Sequence, residues 1–138
     1  MVPSVVFDTN VLISATLSTR GNPFRCISAA KEGVVTSITC VEILDEYEEK
    51  LRDKFGFEHD RALAAAQEIR GLSRVVTIPG MLKVIAEDHD DNMVIECAVI
   101  GEAEFIVSGD RHILGLKEHA GIRIVRVAEF IEIVARQH

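Results

Sequence analysis

The stretch that decides the fold is residues 4–12, SVVFDTNVL. Its first four residues form a short apolar run that stops at Asp8, and such a run is typical of a strand buried on both faces of a sheet. Residues 10–17 have the character of a helix. The order of strand, acidic residue and helix predicts an α/β fold with Asp8 at the carboxyl end of its first strand.

A second stretch, residues 104–114, repeats this order: an apolar run, the turn Ser108-Gly109-Asp110 and a short helix ending near Leu116. Strands alternating with helices imply right-handed crossovers and a parallel sheet. We predict a three-layer α/β/α sandwich with about five strands and a single domain over residues 1–138. The other strands are predicted at 34–37, 74–78 and 122–125, and the other helices at 24–31 (closed by Gly33), from 39 to about 56, at 59–70, from a polar loop at 87–91 to 100, and at 128–135.

The composition limits the classes of function. The chain has 138 residues, 48% of them hydrophobic, which is enough for a core and excludes a disordered linker. Cys26, Cys40 and Cys97 lack zinc-ligand spacing and are interpreted as buried thiols in a reducing cytosol. A signal peptide and a transmembrane segment are not expected, so we expect a cytoplasmic protein.

The net charge of −7 argues against a protein that grips nucleic acid by bulk electrostatics, because phosphate contacts need Lys and Arg. It leaves open a protein that reaches phosphate through bound cations and a local basic rim. Solvated surface charge is the favoured interpretation for each candidate rim residue, as it is for the acidic run at residues 46–50. The candidates are Arg20, Arg25, Arg111 and Lys117.

Acidic residues mark one edge of the predicted sheet. Asp8 follows the first strand, Glu42 lies in the first turn after the second, and Asp110 follows the fourth. Ligands of such sheets bind beyond the carboxyl ends of the strands. Asp91 joins this group only if its helix begins on the same side. Because that helix leads into a strand, local reasoning favours the opposite side.

Each acid also has a structural interpretation. Asp8 and Asp110 could cap the helices that follow them, Glu42 could form a capping box with Thr39, and Asp91 could favour its helix dipole. Taken together, however, two carboxylates ~6 Å apart at an effective dielectric of ~20 repel by roughly 3 kcal/mol. Several such pairs favour one or two hard divalent cations, Mg²⁺ or Mn²⁺, which can activate a water for attack at phosphorus.

Four motifs together resemble the PIN-domain nucleases: VVFDTNVL at 5–12, Glu42, DHDDN at 88–92 and VSGDRHIL at 107–114. The likeness covers about residues 4–136 and is strongest to the toxins of toxin–antitoxin systems. It implies a Mg²⁺- or Mn²⁺-dependent endoribonuclease, an antitoxin partner and a homodimer. It also implies that Asp8, Glu42, Asp91 and Asp110 are the metal-binding, catalytic acids, with Asn10 and Ser108 orienting them.

Two alternatives stay open. A phosphatase of the haloacid-dehalogenase type also begins with a strand ending in Asp, but it usually needs a second Asp where this chain has Asn10. A non-catalytic module that binds RNA or an antitoxin would not need four intact acids.

His89 and His112 flank the site in sequence and are interpreted as polar loop residues.

Overall fold

A computed structural model of the chain describes residues 2–84 and 89–137. The six strands are β1 (Ser4–Phe7), β2 (Thr36–Thr39), β3 (Ser73–Val75), β4 (Phe105–Val107), β5 (Glu118–His119) and β6 (Ile122–Val125). The seven helices are α1 (Thr9–Leu17), α2 (Asn22–Lys31), α3 (Val41–Asp53), α4 (His59–Gly71), α5 (His89–Ile100), α6 (Arg111–Leu114) and α7 (Val127–Arg136).

The sheet has the strand order β3-β2-β1-β4-β6-β5, and every pairing is parallel except that of β5 with β6. Helices cover both of its faces, so the predicted three-layer α/β/α sandwich is confirmed. The chain order reverses between β1 and β4, since β2 and β3 lie to one side and β6 to the other. Such a switch point opens a crevice at the carboxyl ends of the two strands.

The apolar runs form the middle of the sheet. Val6 pairs in register with Ile38 and Ile106, so the three side chains share one face, and all are fully buried. A side chain at Gly101, at the end of α5, would meet Ile38 at 2.7 Å. The absence of a Cβ there lets α5 pack closely on this face.

The opposite face is closed by aromatic packing. Phe130 of α7 makes edge contacts with Phe7 and Phe105, with ring centroids 6.1 and 5.5 Å apart. Register places Phe105 opposite Val5, two residues before Phe7, so both rings project from this face. The three cysteines are buried and free, as predicted.

Several boundaries differ from the sequence prediction. β2 lies two residues later than predicted, α3 begins at Val41 rather than residue 39, and β3 ends at Val75. β5 was not predicted, because a two-residue strand carries no periodicity. The positive φ angles of Ala120 and Gly121 form the tight turn that pairs it with β6. Part of the predicted loop at 87–91 lies outside the described residues.

Within the described ranges, no helix is both long enough and apolar enough to cross a bilayer.

Candidate active site at the carboxyl edge of the sheet

Asp8 and Ser108 follow the two strands that flank the switch point, and their side chains meet there. The Ser108 hydroxyl donates to Asp8 Oδ2 at 2.7 Å, and the Thr9 amide donates to Asp8 Oδ1 at 2.7 Å. Ser108 is fully buried and Asp8 is 6% exposed. The Asp110 amide donates in turn to the Ser108 hydroxyl at 3.0 Å. Ser108 therefore holds Asp8 in place and connects it to the turn that carries Asp110.

Asp110 caps α6, as one interpretation of the sequence proposed. Its Oδ1 accepts hydrogen bonds from the amides of His112 at 2.8 Å and Ile113 at 3.3 Å. Both of the bonds that the described residues give this carboxylate go to Oδ1, which leaves Oδ2 available to another ligand. Capping and ligand binding are compatible here, because they use different oxygens.

Asp8 does cap α1, as its structural interpretation proposed, but its electrostatic surroundings differ from those of an ordinary cap. Burial raises the pKa of Asp8 above its usual value, and the negative charge of Asp110 raises it further. The hydrogen bonds from Ser108 and Thr9 lower this pKa, as does the positive charge of Lys50. A buried carboxylate whose charged form is disfavoured by burial and by a neighbouring acid is a place where a bound cation is stabilised.

Glu42 does not form the capping box that its spacing with Thr39 suggested. Thr39 is the buried last residue of β2, and Cys40 precedes α3 without a side-chain cap. Glu42 lies in the first turn of α3, half-buried, and lines a groove with Glu46 and Asp90. α3 begins directly after β2, which places Glu42 at the carboxyl edge, as predicted.

Glu46 was interpreted from the sequence as part of a solvated helix face, and the structure corrects this. It lies one turn after Glu42, and its side chain is only 16% exposed. The pKa of Glu46 is raised, mainly by burial and also by the negative charge of Asp90. The positive charge of Lys50 and hydrogen bonding to the Lys50 and Thr9 side chains lower this pKa in part. Glu46 lines the same groove as Glu42 and Asp90, so it belongs with the acids at this edge. The i,i+4 spacing from Glu42 was the signal that could have identified it.

Asp91 lies in the first turn of α5 and is 7% exposed. Its neighbour Asp90 lines the groove with Glu42 and acts electrostatically on Glu46, so α5 begins beside the start of α3. Local reasoning, which favoured the far edge, was wrong, whereas the resemblance had placed Asp91 at this edge. A helix that leads directly into a parallel strand runs antiparallel to it, and α5 must begin at the carboxyl edge to end where β4 starts.

Of the two residues expected to orient the acids, Ser108 makes the contact just described. Asn10 is exposed on α1, next to the buried Thr9, and its role stays a prediction.

The donor set fits a hard divalent cation in its chemistry, because carboxylate oxygens are the ligands that Mg²⁺ and Mn²⁺ prefer. Within the described residues, no three acidic, His or Cys side chains are close enough together to hold an ion as they stand. This is compatible with Mg²⁺, which is usually bound by one or two carboxylates together with waters and substrate phosphate. Among the acids, Asp8 and Asp110 are connected through Ser108, which donates to the Asp8 carboxylate and accepts from the Asp110 amide.

Comparisons with known proteins agree with the fold. The family model of the PIN domain matches residues 4–112. An uncharacterised protein of Methanocaldococcus jannaschii is 30% identical over 119 residues, which cover 83% of this chain and 75% of that protein. A crystal structure of a protein from Pyrobaculum aerophilum has a TM-score of 0.64 and 16% identity, covering 99% of this chain and 91% of that chain. At this identity the likeness shows the fold alone.

The chain belongs to the PIN-domain family. The resemblance noted in its sequence is therefore confirmed at the level of the family, whose members are generally nucleases. The branch of toxins stays a prediction.

Proposed function

We propose that this protein is a divalent-metal-dependent endoribonuclease that hydrolyses RNA phosphodiester bonds at the carboxyl edge of its sheet. The observation that carries the proposal is the pairing of Asp8 with Asp110 at the switch point, with the Asp8 carboxylate buried, fixed by Ser108 and raised in pKa. A buried carboxylate whose pKa is raised by burial and by a second acid beside it, in a crevice, is more typical of a working site than of a structural cap.

Asp8 and Asp110 would hold the ion, with Asp91, Glu42 and Glu46 supplying further oxygens around it. When bound, Mg²⁺ or Mn²⁺ supplies Lewis-acid stabilisation of the charge that develops at phosphorus. The chain's own contribution is positional. Ser108 and the Thr9 amide fix the orientation of the Asp8 carboxylate, and the cap of α6 fixes that of Asp110.

RNA as the substrate, a toxin role, an antitoxin partner and a homodimer come from the likeness to the toxin branch. We keep them as parts of the proposal. The family match leaves the haloacid-dehalogenase alternative without support, and a non-catalytic RNA- or antitoxin-binding module remains the competing hypothesis that an assay can decide.

The test is cleavage of single-stranded and structured RNA by the purified protein with Mn²⁺ or Mg²⁺. We expect cleavage that EDTA abolishes and that Asp8→Asn loses. Asp53→Asn, which removes an equal charge from the exposed end of α3, is the matched control and should cleave normally. Cleavage that persists in Asp8→Asn would indicate a contaminating nuclease. Inert wild-type protein that still binds RNA would favour the non-catalytic module.

A further inference from the structure

A groove of about 390 Å³ lies beside the site, between α3 and α5. Five of its lining side chains are acidic and one, Lys50, is basic, within the part of the chain that the structure describes. The lining residues are Glu42, Asp45, Glu46, Glu49, Lys50, Asp90 and Met93. An RNA strand that approaches Asp8 along this groove meets a strong negative potential. Lys50, the basic side chain among the described lining residues, should therefore contribute strongly to the binding of that strand.

The side chain of Lys50 contacts an acid of the groove and is also partly exposed to solvent. Its Nζ lies 3.2 Å from Glu46 Oε1, and its side chain is 34% exposed. Its positive charge also lowers the pKa of Asp8, the residue that directly follows β1. Lys50 is therefore close enough to influence both Glu46 and Asp8, and it keeps an exposed path to an incoming ligand.

Lys50 is the more exposed partner of its pair with Glu46, at 34% against 16% of the side chain. Its ammonium can therefore turn from this i,i+4 contact toward a phosphate at the mouth of the groove, while Glu46 stays among the other acids. The ammonium is a compact charge on a flexible stem with three rotatable donors, which suits a phosphate oxygen in varied positions.

We propose that Lys50 is a substrate-contacting residue, which leaves Glu46 and binds a phosphate of the RNA strand at the Asp8 edge. The proposal rests on the proposed function, since it assigns a further contact to the same site. It gives this acidic protein a positive contact for the substrate that does not depend on the metal.

The test compares Lys50→Met and Lys50→Arg with the control Lys54→Met, which removes the same charge from an exposed position one turn further along. Binding of a single-stranded RNA is measured by fluorescence anisotropy over a range of salt concentrations, in an Asp8→Asn background that prevents cleavage. Lys50→Met should reduce the slope of log K against log salt by about 0.7, the value for one phosphate contact to a single strand. Lys50→Arg should keep most of the slope, and Lys54→Met all of it.

Kinetics and metal binding give the second readout. With Asp8 intact, Lys50→Met should lower kcat/KM by about tenfold, mainly through KM, as expected for one lost charge-assisted contact. Its affinity for Mn²⁺, followed by electron paramagnetic resonance without RNA, should be unchanged or higher, because a competing cation is gone. Lys50→Gln and thermal unfolding guard against a folding defect in the Met variant.

The outcomes separate the two proposals. If wild type cleaves RNA and Lys50→Met keeps its salt slope and KM, the role of Lys50 is wrong and the nuclease proposal stands. A parallel loss of Mn²⁺ affinity and activity would also overturn it, since Lys50 would then act on the metal site alone. If wild type fails to cleave but the salt slope still drops in Lys50→Met, the nuclease proposal fails and the phosphate contact stands.

Discussion

Asp8 and Glu96 are both buried carboxylates, 6% and 5% exposed, and they lie in very different surroundings. Glu96, on α5, accepts hydrogen bonds from the amides of Gly80 at 3.0 Å, Met81 at 3.0 Å and Leu82 at 3.3 Å. Three backbone donors satisfy its charge. Asp8 has one amide, one hydroxyl and a second carboxylate nearby.

The difference shows that burial alone does not identify a functional acid. Glu96 fixes a segment of chain against α5, helped by Asn92 one turn earlier, which accepts from the Val84 amide at 2.9 Å. Asp8 is also held by hydrogen bonds, but the negative charge of Asp110 disfavours its ionised form, which a bound cation would stabilise. One acid stabilises the fold, and the other is expected to act on a ligand.

The largest expected effect is on catalysis. Asp8→Asn should lower RNA cleavage by about a thousandfold, because several kcal/mol of transition-state stabilisation corresponds to that factor. Single-turnover cleavage with saturating Mn²⁺ measures it. Glu96→Gln should cleave within a few-fold of wild type when it is assayed well below its unfolding temperature. Equal losses in the two variants would erase the distinction between the two acids.

The next effect is on stability. Glu96→Ala leaves three backbone amides without their acceptor, and should lower the free energy of unfolding by about 2–4 kcal/mol. Urea denaturation followed by circular dichroism measures the change. Glu96→Gln, which keeps one carbonyl oxygen, should lose less. A Glu96→Ala protein as stable as wild type would mean that residues 80–82 find other acceptors.

Ser108→Ala tests how firmly Asp8 must be held. Removal of a group that orients a metal ligand typically lowers activity about 10- to 100-fold. Because the Ser108 hydrogen bond lowers the pKa of Asp8, its loss should also move the acidic limb of the pH–rate profile to higher pH. Ser73→Ala is the control, because it removes a hydroxyl that lies away from the site and forms a 2.8 Å hydrogen bond with the Ser37 hydroxyl. This variant should leave the pH–rate profile unchanged.

The smallest effect is the pH dependence of stability. The pKa of Asp8 is raised in the folded protein, so the folded state binds a proton more tightly than the unfolded state. Without metal, stability should fall as pH rises from the unfolded value, 3.8, through the raised one. Asp8→Asn should remove this fall and be more stable than wild type at neutral pH but not at pH 3. Thermal unfolding in EDTA across pH measures it, and an Asp8→Asn protein less stable at neutral pH would contradict it.

Much of this edge could be predicted from sequence because strand and acid are adjacent in the chain. Asp8 and Asp110 follow apolar runs directly, and the end of the strand determines where they lie. The role of Glu46 was missed, because its i,i+4 spacing from Glu42 places the two on one face of α3 but does not say that this face turns toward the site. The role of Glu96 depends on a loop more than ten residues away. Local reasoning misjudged the direction of α5 and so the side on which it begins, whereas the resemblance to the family had placed Asp91 at the carboxyl edge.

The most direct test of the site is Mn²⁺ binding measured by electron paramagnetic resonance on wild type, Asp8→Asn, Asp110→Asn and the control Glu96→Gln. We expect wild type and Glu96→Gln to bind alike, and each Asp variant to bind at least about tenfold more weakly. Undiminished Mn²⁺ binding by both Asp8→Asn and Asp110→Asn would contradict a metal centre at the switch point between β1 and β4.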